Sequence, residues 1–199
     1  MKRLTLIGLI LITSLIVNAQ KKFEFGVSAK LGYYFLHNEF NRMQYPGNTI
    51  SPGGGISLAY SLFDKTKLVT GFEGIYLHPK MVDFWDNQLD VKWHSINIPF
   101  YAEQGIGSNL FINGGVTLIR QITGYWNSPT TPNHTQQIPE LNWQTAVGWN
   151  FDKLRISINY SHGFNSIEKK IKTSSNSFFD VGVKHREIYF KVEYSLWRF

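Results

Sequence analysis

The run Glu187-Ile188-Tyr189-Phe190-Lys191-Val192-Glu193-Tyr194-Ser195-Leu196 decides the fold class of this chain. Ile188, Phe190, Val192, Tyr194 and Leu196 share one parity, while Glu187, Tyr189, Lys191, Glu193 and Ser195 share the other. A helix would space its apolar residues three or four apart, so a strict period of two marks a β-strand whose two faces meet different surroundings. The apolar face is continuous and the opposite face is polar and charged.

The same period runs back through the chain. Phe23, Phe25, Val27, Ala29, Leu31, Tyr33 and Phe35 oppose Glu24, Gly26, Ser28, Lys30, Gly32 and Tyr34. Ile56, Leu58, Tyr60 and Leu62 oppose Gly55, Ser57, Ala59 and Ser61, and the pattern blurs between Lys67 and His78. Further runs begin near Trp93, Leu110, Leu141 and Leu154, so that eight strands are expected. Their connections alternate between short ones (Phe63–Lys65, Gln104–Ser108, Asn150–Lys153) and long polar ones (His37–Pro52, Pro79–Val91, Tyr125–Glu140, Asn165–Ser177). Tight turns at one end and long loops at the other are the habit of up-and-down transmembrane barrels. An even strand count puts both chain ends on the short-turn, periplasmic side.

Charge placement orients the faces. Glu24, Lys30, Glu73, Glu103, Arg155, Glu187, Lys191 and Glu193 all fall on the small-and-polar parity, whereas the apolar parity carries charge only near strand ends, as in Lys92, Arg120 and Arg198. A cation at mid-bilayer on the lipid face costs about 2–4 kcal/mol, so this segregation suits a lipid-facing exterior around a polar, ion-paired lumen. A water-soluble, lipocalin-like barrel carrying a small apolar ligand shares the strand count and the alternation, with the apolar parity turned inward. Aromatic residues near strand ends, among them Phe23, Phe35, Phe63, Trp93, Trp143, Trp149 and Trp197, favour the membrane, as does the last residue, Phe199. Eight strands enclose a bore that side chains fill, so open diffusion is not expected.

Lys2 and Arg3, the apolar stretch Leu4 to Val17 and Val17-Asn18-Ala19 have the form of a cleaved signal peptide over residues 1–19, leaving 20–199 as one barrel domain. The apolar stretch is too short for a transmembrane helix. The chain is 43% apolar and 17% charged and contains no cysteine, which excludes disorder and disulfide or zinc scaffolds. Its formal charge of +6 falls to +4 without Lys2 and Arg3, a mild excess better suited to anionic headgroups than to nucleic acid.

Ile96-Asn97-Ile98-Pro99-Phe100, Asn113-Gly114-Gly115, Tyr160-Ser161-His162-Gly163-Phe164-Asn165-Ser166-Ile167 and the terminal Phe199 resemble the PorT-like family of small bacterial outer-membrane β-barrel proteins. That family usually has Gly-Leu-x-Asn-Ile where this chain has Gly-Phe-Asn-Ser-Ile, and ends Gly-Tyr where this chain ends Leu-Trp-Arg-Phe. The resemblance implies an outer-membrane address and, for some members, a part in type IX protein secretion.

Catalytic, cofactor and metal sites are not expected. Ser161 and His162 are adjacent and so point to opposite faces of a strand, which denies them the nucleophile–base contact that a lipid hydrolase needs. His78 and His94 with Asp83, Asp86 and Asp90 lack the spacing of a metal loop, and Gly53-Gly54-Gly55 precedes neither a helix nor a lysine of a phosphate loop. Pro99 in mid-strand implies a bulge or a missing ladder bond. Lys169, Lys170 and Lys172 form a basic cluster in the fourth long connection, placed to meet lipopolysaccharide phosphates. The expected partners are outer-membrane lipid, lipopolysaccharide and a protein bound through the long loops.

Overall fold

The computed structural model describes residues 23–38, 48–78, 80–82, 88–127, 139–164, 167–172 and 178–198. The stretch 1–19, Phe199 and three aromatic residues of the long connections, Tyr45, Phe84 and Trp85, lie outside the described residues. Ten strand segments follow one another: β1 Phe23–Asn38, β2 Thr49–Phe63, β3 Thr66–Leu77, β4 Lys80–Val82, β5 Gln88–Ile106, β6 Leu110–Asn127, β7 Glu140–Phe151, β8 Leu154–Gly163, β9 Ile167–Lys172 and β10 Phe178–Arg198. Eight of them form a closed antiparallel barrel in the order β1-β2-β3-β5-β6-β7-β8-β10, with β10 pairing back onto β1. Closure leaves no unpaired edge in the eight-stranded wall, which is the condition for strands to cross a bilayer.

The remaining two segments correct the sequence expectation for the long connections. β4 pairs with the start of β5, and β9 pairs with β10 from Val183↔Ile167 to Phe178↔Lys172. Lys169, Lys170 and Lys172 therefore lie on a strand and not in a loop, although their side chains are outside the described set. The reason is backbone pairing: β8 accompanies β10 only as far as His162↔Arg186, and β9 takes over the hydrogen-bonding side of β10 beyond it.

The short connections are tight. Asp64-Lys65 and Asp152-Lys153 join their strands in two residues, and Gly107-Ser108-Asn109 in three. Asp152 and Gly107 adopt left-handed φ values of 53° and 66°, which Asp tolerates and Gly takes freely. Bonds between neighbouring turns tie this end together: Gly105 N donates to Lys65 O (2.7 Å), Asn150 N to Asn109 O (2.8 Å) and Ser195 N to Lys153 O (2.8 Å). At Pro99 the β3–β5 ladder skips Gly71 and Phe72 and resumes in the same register, so the proline costs ladder bonds without a bulge.

Burial is inverted relative to a water-soluble protein. Among the described residues 21 buried side chains are polar or charged against nine apolar ones, while Leu31, Ile50, Phe72, Phe100, Ile158 and Phe190 stand exposed on the outer wall. A soluble carrier barrel requires the reverse. The apolar parity faces outward.

Candidate functional site

The only large assembly of charged side chains among the described residues fills the bore. Glu24, Lys30, Glu73, Glu103, Arg155, Glu187, Lys191 and Glu193 are each 3–7% exposed. Near the short turns, Lys67 Nζ donates to Glu24 Oε2 (2.7 Å), with Arg198 Nη2 3.7 Å from Glu24 Oε1. Above them Arg155 Nη1 donates to Glu193 Oε1 (3.0 Å), and Arg155 Nη2 pairs with Glu103. Lys191 Nζ comes next, 2.8 Å from Glu73 Oε1 and 3.3 Å from Glu193 Oε2. Toward the long connections Lys30 Nζ donates to Glu187 Oε2 (3.0 Å), whose Oε1 accepts from Ser51 Oγ (2.6 Å).

Two of these links cross the lumen instead of following the wall. β10 and β3 are separated by β1 and β2, and β8 and β5 by β6 and β7, so Lys191–Glu73 and Arg155–Glu103 join opposite walls. Neutral bridges stay closer to the wall: Gln144 Oε1 accepts from Thr117 Oγ1 on the neighbouring strand (2.7 Å) and from Tyr189 OH two strands away (3.3 Å). The cations also rest on rings, Lys30 Nζ 4.0 Å from the Tyr189 centroid and Arg155 Cζ 5.0 Å from that of Phe111. Ala59, Val69 and Tyr101 pack as a small apolar cluster inside the wall. The cavity bounded by Asn113, Arg155 and Lys191 has a volume of about 10 Å³, the room of about one water molecule. Side chains occupy the bore.

Glu140 is a lumen residue that sequence reasoning assigned to a long connection. It is 4% exposed, and Asn142, with its amide nitrogen turned toward it, lies 3.1 Å from Glu140 Oε1. The signal for it was present, because Glu140 shares its parity with Asn142 and Gln144. With Glu140 counted, six buried carboxylates face the three buried cations Lys30, Arg155 and Lys191, which leaves the interior acid-rich. Lys67 was missed as well, in the strand whose alternation is blurred because Val69, Ile75 and Leu77 are apolar yet face inward.

The outer wall carries aromatic pairs at both ends. Phe23–Tyr60 (5.0 Å between centroids) and Phe25–Trp197 (5.9 Å) stand near the short turns, and Tyr33–Phe35 (4.8 Å), Tyr76–His94 (5.0 Å) and Trp143–Tyr160 (5.2 Å) toward the other end. Aromatic girdles of this kind sit at the two membrane–water interfaces. Ser161 is buried in the lumen, while His162 lies on the outer wall, 5.9 Å from Trp143 and bonded by Arg186. His94 stands opposite Tyr76, with His78 beyond it. No group of three His, Cys, Asp or Glu among the described residues is placed to hold a metal.

A closed barrel with an ionic interior, an apolar exterior and two aromatic belts defines the class, which is a small transmembrane β-barrel. Comparison with solved structures gives the same architecture: OprG of Pseudomonas aeruginosa (TM-score 0.55, 8% identity, 89% of this chain and 97% of that one) and neisserial surface protein A (0.53, 14%, 86% and 97%). Ail, the attachment invasion locus protein of Yersinia pestis, solved with the heparin analogue sucrose octasulfate, is similar too (0.51, 11%, 88% and 99%). At such identities the likeness is one of fold, that of small outer-membrane barrels with eight strands. No protein-family model and no curated protein matches the sequence.

Proposed function

We propose that the protein is an integral, non-enzymatic barrel of a bacterial outer membrane, with a sealed lumen and an interaction surface on the side of the long connections. One observation carries the reading: the buried ionisable side chains point into the bore and the large apolar ones into the surroundings. In this reading residues 1–19 are the export signal, removed before the barrel inserts. The lumen network of Glu24, Lys30, Glu73, Glu103, Arg155, Glu187, Lys191 and Glu193 serves as a structural core, replacing the apolar core that a two-sided membrane wall cannot have. A lipid-hydrolase role is disfavoured by the opposite orientations of Ser161 and His162.

The test is extraction of the native protein in detergent and gel electrophoresis in SDS with and without boiling. A compact, fast-migrating band that slows on boiling is the expected result. A protein that stays in the soluble fraction and shows no shift would sink the reading.

The finer assignment is to a PorT-like barrel that attends type IX secretion, supported by the Ile-Pro, Asn-Gly-Gly and Ser-His-Gly-Phe segments. Deletion of the gene should then impair export of that system's cargo, and normal export would exclude the role. Lys169, Lys170 and Lys172, on the β9 arm that prolongs the barrel, are assigned to lipopolysaccharide phosphates on the strength of their charge.

A further inference from the structure

The outer wall of β1, β10, β8 and β7 is built in transverse rows fixed by strand register. Leu31, Phe190, Ile158 and Val147 form one purely apolar row, and Tyr33, Ile188, Tyr160 and Thr145 the next toward the long connections. The row beyond is different in kind: Phe35, Arg186, His162 and Trp143. Arg186 is half-buried on the outward parity, and its Nε donates to His162 Nδ1 (3.2 Å), which fixes the plane of the guanidinium. None of the contacts described for Arg186 uses its two Nη groups.

A cation is excluded from mid-membrane but tolerated at the headgroup level. From Arg186 to Tyr194, which lies near the short turns, β10 runs nine residues, within the 9–11 that a tilted strand takes to cross the hydrocarbon. Lys92 and Arg120 are further cations on the outward parity of the wall at this end.

We propose that Arg186, held by His162 and flanked by Phe35 and Trp143, binds the phosphate of a phosphorylated glycolipid of the outer leaflet. Two Nη groups offered in one plane match two phosphate oxygens, and the adjacent aromatic rings cover the first carbons of the acyl chains. The inference rests on the integral-membrane reading and extends it from a general lipid contact to one built position.

The full-length barrel, refolded in detergent and checked for its heat-dependent gel shift, is titrated with lipid A and, separately, with zwitterionic phosphatidylcholine, and bound lipid is counted by native mass spectrometry. Arg186→Gln is expected to weaken lipid A binding about tenfold, as for the loss of a charge-assisted hydrogen bond, and to leave phosphatidylcholine unchanged. Arg186→Lys should keep part of the affinity. Lipid A bound equally by wild type and Arg186→Gln overturns the site, as does an equal loss of both lipids. Complete loss on neutralising Lys169, Lys170 and Lys172 alone overturns it too, by moving the contact to the β9 arm. If Arg186→Gln fails the gel shift, His162→Ala is read in its place with the same outcomes. A wild type lacking the shift rejects the integral-membrane reading itself.

Discussion

Lys191 Nζ lies 2.8 Å from Glu73 Oε1, although two strands separate β10 from β3 around the wall. Both side chains are buried, and the pair spans the bore where a channel would have to pass. Lys30 faces Lys191 directly in the β1–β10 register, so Glu187, Glu73 and Glu193 are needed to hold two like charges side by side. Lys191 thus joins Glu73, through Glu193, to Arg155 and Glu103 in one ion-paired cluster, and removing it strands Glu73.

Lys191→Met should destabilise the refolded barrel by about 3–5 kcal/mol, because Glu73 would then be buried without its cation and Glu193 would keep only Arg155. Adding Glu73→Gln should restore part of the loss. Urea unfolding in a fixed detergent reads both numbers, and equal stabilities for wild type and Lys191→Met would show that the pair contributes nothing.

The packed bore predicts that wild type passes no steady ionic current in a planar bilayer. Replacing Arg155 and Lys191 together by Ala removes both of the cations that bridge the middle of the lumen, and discrete current steps are expected from the double variant. Steady conduction by wild type would refute the sealed lumen.

Phe190 is 47% exposed in the apolar row of the outer wall. Phe190→Arg should lower the folding free energy in lipid vesicles by about 2–4 kcal/mol, the cost of a cation at the bilayer midplane. The same change on a wall facing water would be nearly neutral, so unfolding in vesicles separates the two surroundings directly.

Gly148 lies inside the wall beneath the ring of Phe111, which is opposite it on β6. A Cβ there would run into Phe111 Cζ and the Ile156 carbonyl oxygen. Gly148→Ala should therefore cost about 1–3 kcal/mol by overpacking, with partial rescue by Phe111→Leu, which makes room on one side only. Thermal loss of the compact gel band provides the comparison.

Strand period and face polarity were legible because neighbouring side chains on a strand point to opposite sides, a purely local consequence of backbone geometry. Lys30, Arg155 and Glu193 could be placed on the inner parity from that alone. β3 was the exception, since Val69, Ile75 and Leu77 line the lumen and erase the contrast between faces. The extent of the strands was also hidden: β9 and β4 exist because β10 and β5 run on beyond the barrel wall and need partners, and polar residues such as Lys169 and Lys170 carry no sign of that pairing. The outer row of Phe35, Arg186, His162 and Trp143 draws on four strands, and its members are scattered over the whole chain.

Alternation by itself determined that this is a strand protein with one apolar and one charged face, and the spacing of its turns set eight strands in a meander. Which charges meet was decided only by closure of the barrel. Closing β10 onto β1 in one register sets Lys30 beside Lys191, and the narrow bore of eight strands brings Glu73 and Glu103 across to Lys191 and Arg155. Those contacts join residues far apart in sequence, and their distances depend on the number, tilt and stagger of all the strands together, which no local pattern encodes.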